Sequence, residues 1–170
     1  MSAGKSSWGF ATRAVHVGQG PDPATGAVVQ PIHLATTFAQ QGVGKHQGFE
    51  YSRSGNPTRS ALEENLAALE DAKYCLAFAS GLGAESTMML LLKPADHVVY
   101  MEDVYGGTFR LFDKVMKRFG LTFTAIDATD LDAVEKAITP STRLVWLESP
   151  TNPLLRVVDI DAVSEVAHSH

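Results

Sequence analysis

The sequence predicts an α/β fold built on a largely parallel sheet, and three observations carry that expectation. From residue 73 on, short apolar runs alternate with stretches of helical periodicity. The runs themselves, such as "HVVYME" and "RLVWLE", are nearly continuous in apolar residues, as strands covered on both faces are. Parallel neighbours also need long crossovers, and the helical stretches between the runs supply them as right-handed βαβ units.

Residues 1 to about 55 lack sustained helical periodicity and are rich in Gly, Pro, Gln and Thr, so they are expected to form an extended arm, with 56–170 the first part of the α/β domain. Asn56 is a good N-cap, and Pro57 suits the first helical position, where a missing N–H costs nothing. Leu62, Leu66 and Leu69 then recur at helical spacing in "PTRSALEENLAALED", one apolar stripe of an amphipathic helix. "KYCLAFAS" is expected to be a buried strand, and "SGLGAESTMMLLLK" a helix closed by Pro94. "HVVYME" is the second strand, followed by "YGGT" and a helix whose Leu111, Phe112, Val115, Met116 and Phe119 form a stripe ending at Gly120. "LTFTAI" is the third strand, Asp130 caps a short helix carrying Leu131, Val134 and Ile138, and "RLVWLE" is the fourth. "DIDAVSEVAHSH" is a last helix with no strand after it, whereas every earlier helix of this alternation precedes one. The 170 residues are therefore expected to be the front part of a longer protein.

The formal charge of -5 argues against nucleic-acid and anionic-membrane partners, which need a basic face. A single cysteine, Cys75, lies in an apolar run and reads as a buried, inert thiol; it excludes a disulfide within the chain. No run approaches the roughly 18 apolar residues of a membrane span. The start "MSAGKSSWGF" has no secretory apolar core, so a cytoplasmic location is expected.

In an open parallel sheet, ligands collect outside the carboxyl ends of the strands, and three unusual segments fall there. Ser80-Gly81-Leu82-Gly83-Ala84 is a strand-to-helix turn whose glycines let backbone N–H groups approach an anion. It is also a partial dinucleotide fingerprint, with Glu102 and Asp103 ending the next strand, although Ser86 replaces the third glycine. Tyr105 in "DVYGGT" is an aromatic just past a strand end, able to lie on a planar ring or to move a proton. Asn152 in "ESPTNP" is held between two prolines, its amide free to donate. Upstream, Tyr51 and Arg53 in "YSRSGNPT" pair a phenol with a forked cation, a reasonable clamp for a phosphate. An exposed arm and a helix cap, a tight turn, a structural loop tyrosine and an ordinary Asn-Pro turn are the alternatives. The six histidines show no metal-ligand spacing, and neither a Walker A motif nor a Gly-x-Ser-x-Gly elbow is present. A poor inventory of nucleophiles points to borrowed chemistry.

Four segments in order along one α/β chain, "EYSRSGNPT", "FASGLGA", "DVYGGT" and "ESPTNP", resemble the Cys/Met-metabolism family of pyridoxal-phosphate enzymes. The resemblance runs from about Thr12 to His170 and implies a PLP-dependent transferase-like fold (fold type I, aspartate aminotransferase-like). It implies that Gly81 and Leu82 offer N–H groups to the cofactor phosphate, that Tyr105 stacks on the pyridine ring, and that Asn152 bonds the ring's phenolic oxygen. Tyr51 and Arg53 would reach the phosphate of a neighbouring subunit, which implies dimers sharing active sites, usually paired into a homotetramer.

The family also needs a Schiff-base lysine and an aspartate for the pyridine nitrogen, placed after the segment that matches this chain, so residues 1–170 alone are expected to be inactive. Within the family, Gly107 stands where methionine γ-lyases usually carry a cysteine. Glu50 is acidic where those enzymes tend to be apolar, and its carboxylate could receive the distal amino group of cystathionine. "KYCLAFASGL" most resembles the cystathionine γ-lyases, whereas "ESPTNPLLRVVDI" is equally like the γ-synthases. The implied reaction is γ-elimination of L-cystathionine, in transsulfuration, with Tyr105 as a candidate acid–base group. A nicotinamide-dependent oxidoreductase using Gly81, Gly83 and Glu102 is the rival from another class, and a non-catalytic assembly module is a third possibility.

Overall fold

The computed structural model describes residues 8–170; the polar start up to Ser7 lies outside the described residues. The chain divides into two compact units, residues 1–77 and 78–170. This boundary falls after the helix that begins at Pro57, because that helix packs on one further upstream.

In the first unit α1 spans Phe10–His16 and α2 spans Pro57–Leu69. The sequence signalled α2 but not α1, which is seven residues long and lacks a side-chain cap. Its support is tertiary. Asn65 Nδ2 donates to the carbonyls of Arg13 (3.2 Å), Ala14 (3.2 Å) and Val17 (2.8 Å), satisfying the carbonyls a helix end leaves open. Arg13 Nη1 donates to Ala68 O at 2.5 Å and also meets Asp71. Gly18 has φ +73°, and a Cβ there would lie 2.3 Å from Ala61 O, so only glycine lets the chain pass α2 so closely. The face of α2 used here carries Ala61, Asn65 and Ala68. The expected leucine stripe stays outside this contact, with Leu62 and Leu66 exposed. Asn56 caps α2 as expected, its side chain accepting from Thr58 N at 2.9 Å.

The second unit holds α3 (Gly81–Met89), β1 (His97–Met101), α4 (Gly106–Arg110), β2 (Thr122–Ile126), α5 (Leu131–Ala137), β3 (Thr142–Trp146) and α6 (Ile160–His168). The three strands form a parallel sheet in the order β2-β1-β3. Val98 pairs with Phe123 on one side and Leu144 on the other, after a register shift beside His97. The central strand β1 is buried along its whole length, which explains its unbroken apolar run. Phe112 is fully buried over the sheet, stacked on Phe123 (centroids 5.0 Å apart) and edge-on to Tyr100 (5.4 Å) and Trp146 (6.0 Å).

Several expectations are corrected. "KYCLAFAS" joins no ladder: Tyr74 and Leu76 are exposed, and Cys75 is a half-buried free thiol. A strand is made by its neighbour, and no described strand pairs with this run. The helix after it stops at Met89, short of Pro94, in tighter turns such as Leu92 N to Met89 O. The helix expected up to Gly120 changes pitch, from α4 to a π-turn over Leu111–Val115 and a 3₁₀ turn over Met116–Phe119. Among its apolar stripe only Phe112 and Met116 are buried, while Val115 and Phe119 are exposed.

His97 is buried at the start of β1, its ring between Thr142 Oγ1 (2.8 Å) and Thr124 Oγ1 (2.9 Å) on the two flanking strands. Burial lowers its pKa below the usual 6.5. The unfolded chain then binds a proton more readily than the folded one, so this contribution to stability is present above about pH 6.5 and is lost as pH falls toward the folded value. Urea midpoints between pH 8 and 5 should decline in the native protein and flatten in His97→Gln.

Candidate active site

Two loops leave the carboxyl ends of the adjacent strands β1 and β3. The first carries Glu102, Asp103 and Tyr105, the second Glu148, Thr151 and Asn152. Tyr105 is exposed, and its hydroxyl makes no hydrogen bond within the described residues. Its ring lies over Gly107, where a Cβ would come 2.2 Å from ring atom Cε1. The Tyr105 N–H donates to Glu148 Oε2 at 2.9 Å. Asn152 is exposed, with an amide that makes no bond within the described residues, while Thr151 beside it is buried.

Helix α3 meets this end of the sheet through Thr108, whose buried hydroxyl donates to Glu85 Oε1 at 3.1 Å. At the start of α3 the Ser80 side chain accepts from Gly83 N at 3.1 Å, and its carbonyl accepts from Ala84 N at 3.2 Å. The N–H groups of Gly81 and Leu82 make no bond within the described residues. Space is open around Gly81, where an added Cβ would meet nothing within 4 Å. Two free donors at the N-terminus of a nine-residue helix suit a phosphate. With an exposed tyrosine ring and a free carboxamide on the neighbouring loops, the second unit fits a phosphorylated planar ring.

In the first unit, residues 36–52 double back on themselves. Phe38 N donates to Glu50 O at 3.0 Å and Ser52 N to Thr36 O at 2.8 Å. This places Glu50, Tyr51 and Arg53 together at the end of the pair. Arg53 Nη2 donates to Tyr51 Oη at 3.1 Å, with the guanidinium carbon 5.1 Å from the ring centroid. The phenol and the guanidinium thus share a face, as their spacing suggested. The Glu50 carboxylate is exposed and has no partner within the described residues.

The profile of the Cys/Met metabolism PLP-dependent enzymes matches residues 11–170. The chain belongs to that family. A protein of Herpetosiphon aurantiacus named "Probable cystathionine gamma-synthase" is 59% identical over 163 residues, covering 96% of this chain and 51% of that protein. Human cystathionine gamma-lyase is 55% identical over 162 residues, covering 95% of this chain and 40% of that protein. Among solved structures, metB from Corynebacterium glutamicum superposes with a TM-score of 0.91 at 43% identity, covering 97% of this chain and 43% of that one. Cystathionine gamma-lyase from Lactobacillus plantarum, complexed with L-serine, gives 0.88 at 50% identity, covering 96% and 42%. The chain thus spans from two fifths to about half the length of these relatives.

Family membership makes the fold that of PLP-dependent cystathionine lyases and synthases, and it displaces the dinucleotide alternative. Glu102, weighed as part of a dinucleotide fingerprint, is paired with Arg156 Nη1 at 3.0 Å. Among the lysines, Lys114 and Lys117 each pair with Asp113 at 2.6 Å, and Lys73 lies over the Tyr74 ring. The described residues hold no cluster of potential metal ligands, and none of their helices is long and apolar enough to cross a membrane. Sequence reasoning missed the roles of Glu148, Thr151, Glu85 and Arg156. A carboxylate at each strand end was the available signal.

Proposed function

We propose that the whole protein cleaves L-cystathionine by γ-elimination, consuming water and releasing cysteine, 2-oxobutyrate and ammonia. The free N–H groups of Gly81 and Leu82 are the observation that carries the cofactor assignment, because they form an anion site next to the loop of Tyr105. Pyridoxal phosphate, when bound, supplies the electron sink that such a carbon–sulfur cleavage needs. Gly81 and Leu82 would hold its phosphate, Tyr105 would support its pyridine ring, and Asn152 would donate to the ring oxygen. Tyr105 Oη accepts the proton of the substrate's amino group or protonates the leaving sulfur. Glu50 receives the distal amino group of cystathionine.

Tyr51 and Arg53 hold the phosphate of a neighbouring subunit, so residues 1–55 act as an arm lent to a partner and the assembly is a homotetramer of site-sharing dimers. The location is cytoplasmic. Activity is assigned to the whole protein because Lys114, Lys117 and Lys136 lie in helical turns and Lys73 lies over the Tyr74 ring, contexts unsuited to the Schiff base.

The lyase direction rests on the acidic residue at 50 and on the likeness to lyases around "KYCLAFASGL". The 59% identity to a protein named as a γ-synthase supports the opposite direction, formation of cystathionine from cysteine and a homoserine bearing a γ leaving group. Supplying the purified protein with each substrate set decides: 2-oxobutyrate from cystathionine is expected, and cystathionine formation alone would overturn the assignment. Arg53→Ala should weaken pyridoxal-phosphate affinity by about 10- to 100-fold, the scale of a lost charge-assisted bond, in an equilibrium titration.

A further inference from the structure

We propose that Asp103 and Glu148 are reciprocal positioning residues, each carried by one strand-end loop and each fixing the cofactor-facing side chain of the other. The proposal rests on the cofactor roles assigned above to Tyr105 and Asn152. Glu148, just past β3, accepts the N–H of Tyr105 at 2.9 Å. Asp103, just past β1, accepts through one oxygen from both the Thr151 hydroxyl and Leu154 N, the latter at 3.0 Å. Those two donors bracket Asn152 in the chain. Thr151 Oγ1 in turn accepts from Arg156 N at 2.9 Å, which closes the loop on itself.

Both target side chains need such support. Tyr105 and Asn152 are exposed, and neither side chain has a hydrogen-bond partner within the described residues that would fix it. Tyr105 is the N-cap residue of α4, its carbonyl accepting from Phe109 N at 3.1 Å, so its N–H is the main-chain group left to be held from outside that helix. A hydrogen bond to a carboxylate is stronger than one to a neutral acceptor and directional enough to hold a loop amide in place. Because each carboxylate sits on one loop and its donors on the other, the two loops cannot shift independently without breaking a charge-assisted bond. Neither Asp103 nor Glu148 needs to touch the cofactor or substrate.

Residue-level amide hydrogen exchange on the whole apoprotein tests the brace without reference to activity. Exchange at Tyr105 should rise about tenfold in Glu148→Ala, and exchange at Leu154 by a similar factor in Asp103→Ala. In Glu148→Gln and Asp103→Asn the side-chain carbonyl still accepts, and exchange should stay within about threefold of wild type. Pyridoxal-phosphate affinity, read by equilibrium titration, should fall about tenfold in the alanine variants and recover in the amides. If an alanine variant does not fold, Glu148→Met against Gln and Asp103→Leu against Asn give the same contrast at conserved volume. Unchanged exchange in the variants that lack an acceptor overturns the brace, and faster exchange with unchanged affinity overturns its positioning role. Wild-type protein that takes up no pyridoxal phosphate would sink the functional assignment and the positioning role with it, while the exchange measurement would still judge the brace.

Discussion

Tyr105→Phe in the whole protein should lower turnover of cystathionine by about ten- to a thousandfold, the scale of a lost acid–base group. The substitution removes one oxygen and keeps the ring, so the stacking surface over Gly107 persists and cofactor affinity should remain close to wild type. The hydroxyl makes no hydrogen bond within the described residues, so its loss leaves no partner stranded and no folding penalty of the kind that follows a broken buried bond. A fall in kcat at unchanged thermal midpoint is therefore expected. Unchanged turnover would remove Tyr105 from proton transfer and leave it a stacking residue.

What was legible in the sequence follows from how local each signal is. Asn56-Pro57 and Asp130 are caps, decided by atoms two or three residues away, and both cap their helices as the residue types suggest. Strand β1 was legible because burial on both faces writes an unbroken apolar run. The run at 73–80 has the same composition and no ladder, because strand formation depends on a partner that composition does not encode. Helix α1 was missed for the complementary reason: seven residues are too few for periodicity, and the bonds from Arg13 and Asn65 that sustain it cross more than forty residues of sequence.

The candidate site shows the same division. Tyr51 and Arg53 could be paired from their spacing alone, since a contact between residues two apart is nearly fixed by the backbone. Asp103 and Glu148 could not be matched to Leu154 and Tyr105, because those partners meet only once β1 and β3 lie side by side. The carboxylates Glu102 and Asp103 that end the strand suited a dinucleotide fingerprint. The structure commits Glu102 to Arg156 and Asp103 to the loop of Asn152, so both acidic residues brace the strand-end loops.

Gly107→Ala should lower kcat/KM by about a hundredfold, the cost expected when a reacting group is misplaced by an ångström or so. The backbone at 107 lies within α4 and has no left-handed φ, so alanine is compatible with the helix itself. Its obstacle is the Tyr105 ring: the new methyl carbon would sit 2.2 Å from Cε1, 2.9 Å from Cδ1 and 3.0 Å from Cζ. A ring on two soft torsions moves more readily than a helix, so the fold absorbs the methyl by swinging Tyr105 off its seat. The thermal midpoint should then hold within a few degrees while turnover falls, and Tyr105→Phe in the Gly107→Ala background should cost much less than it does alone, because the displaced hydroxyl no longer contributes. Additive losses in that double-variant cycle would mean that Gly107 and Tyr105 act independently, and the seat would have no bearing on the chemistry.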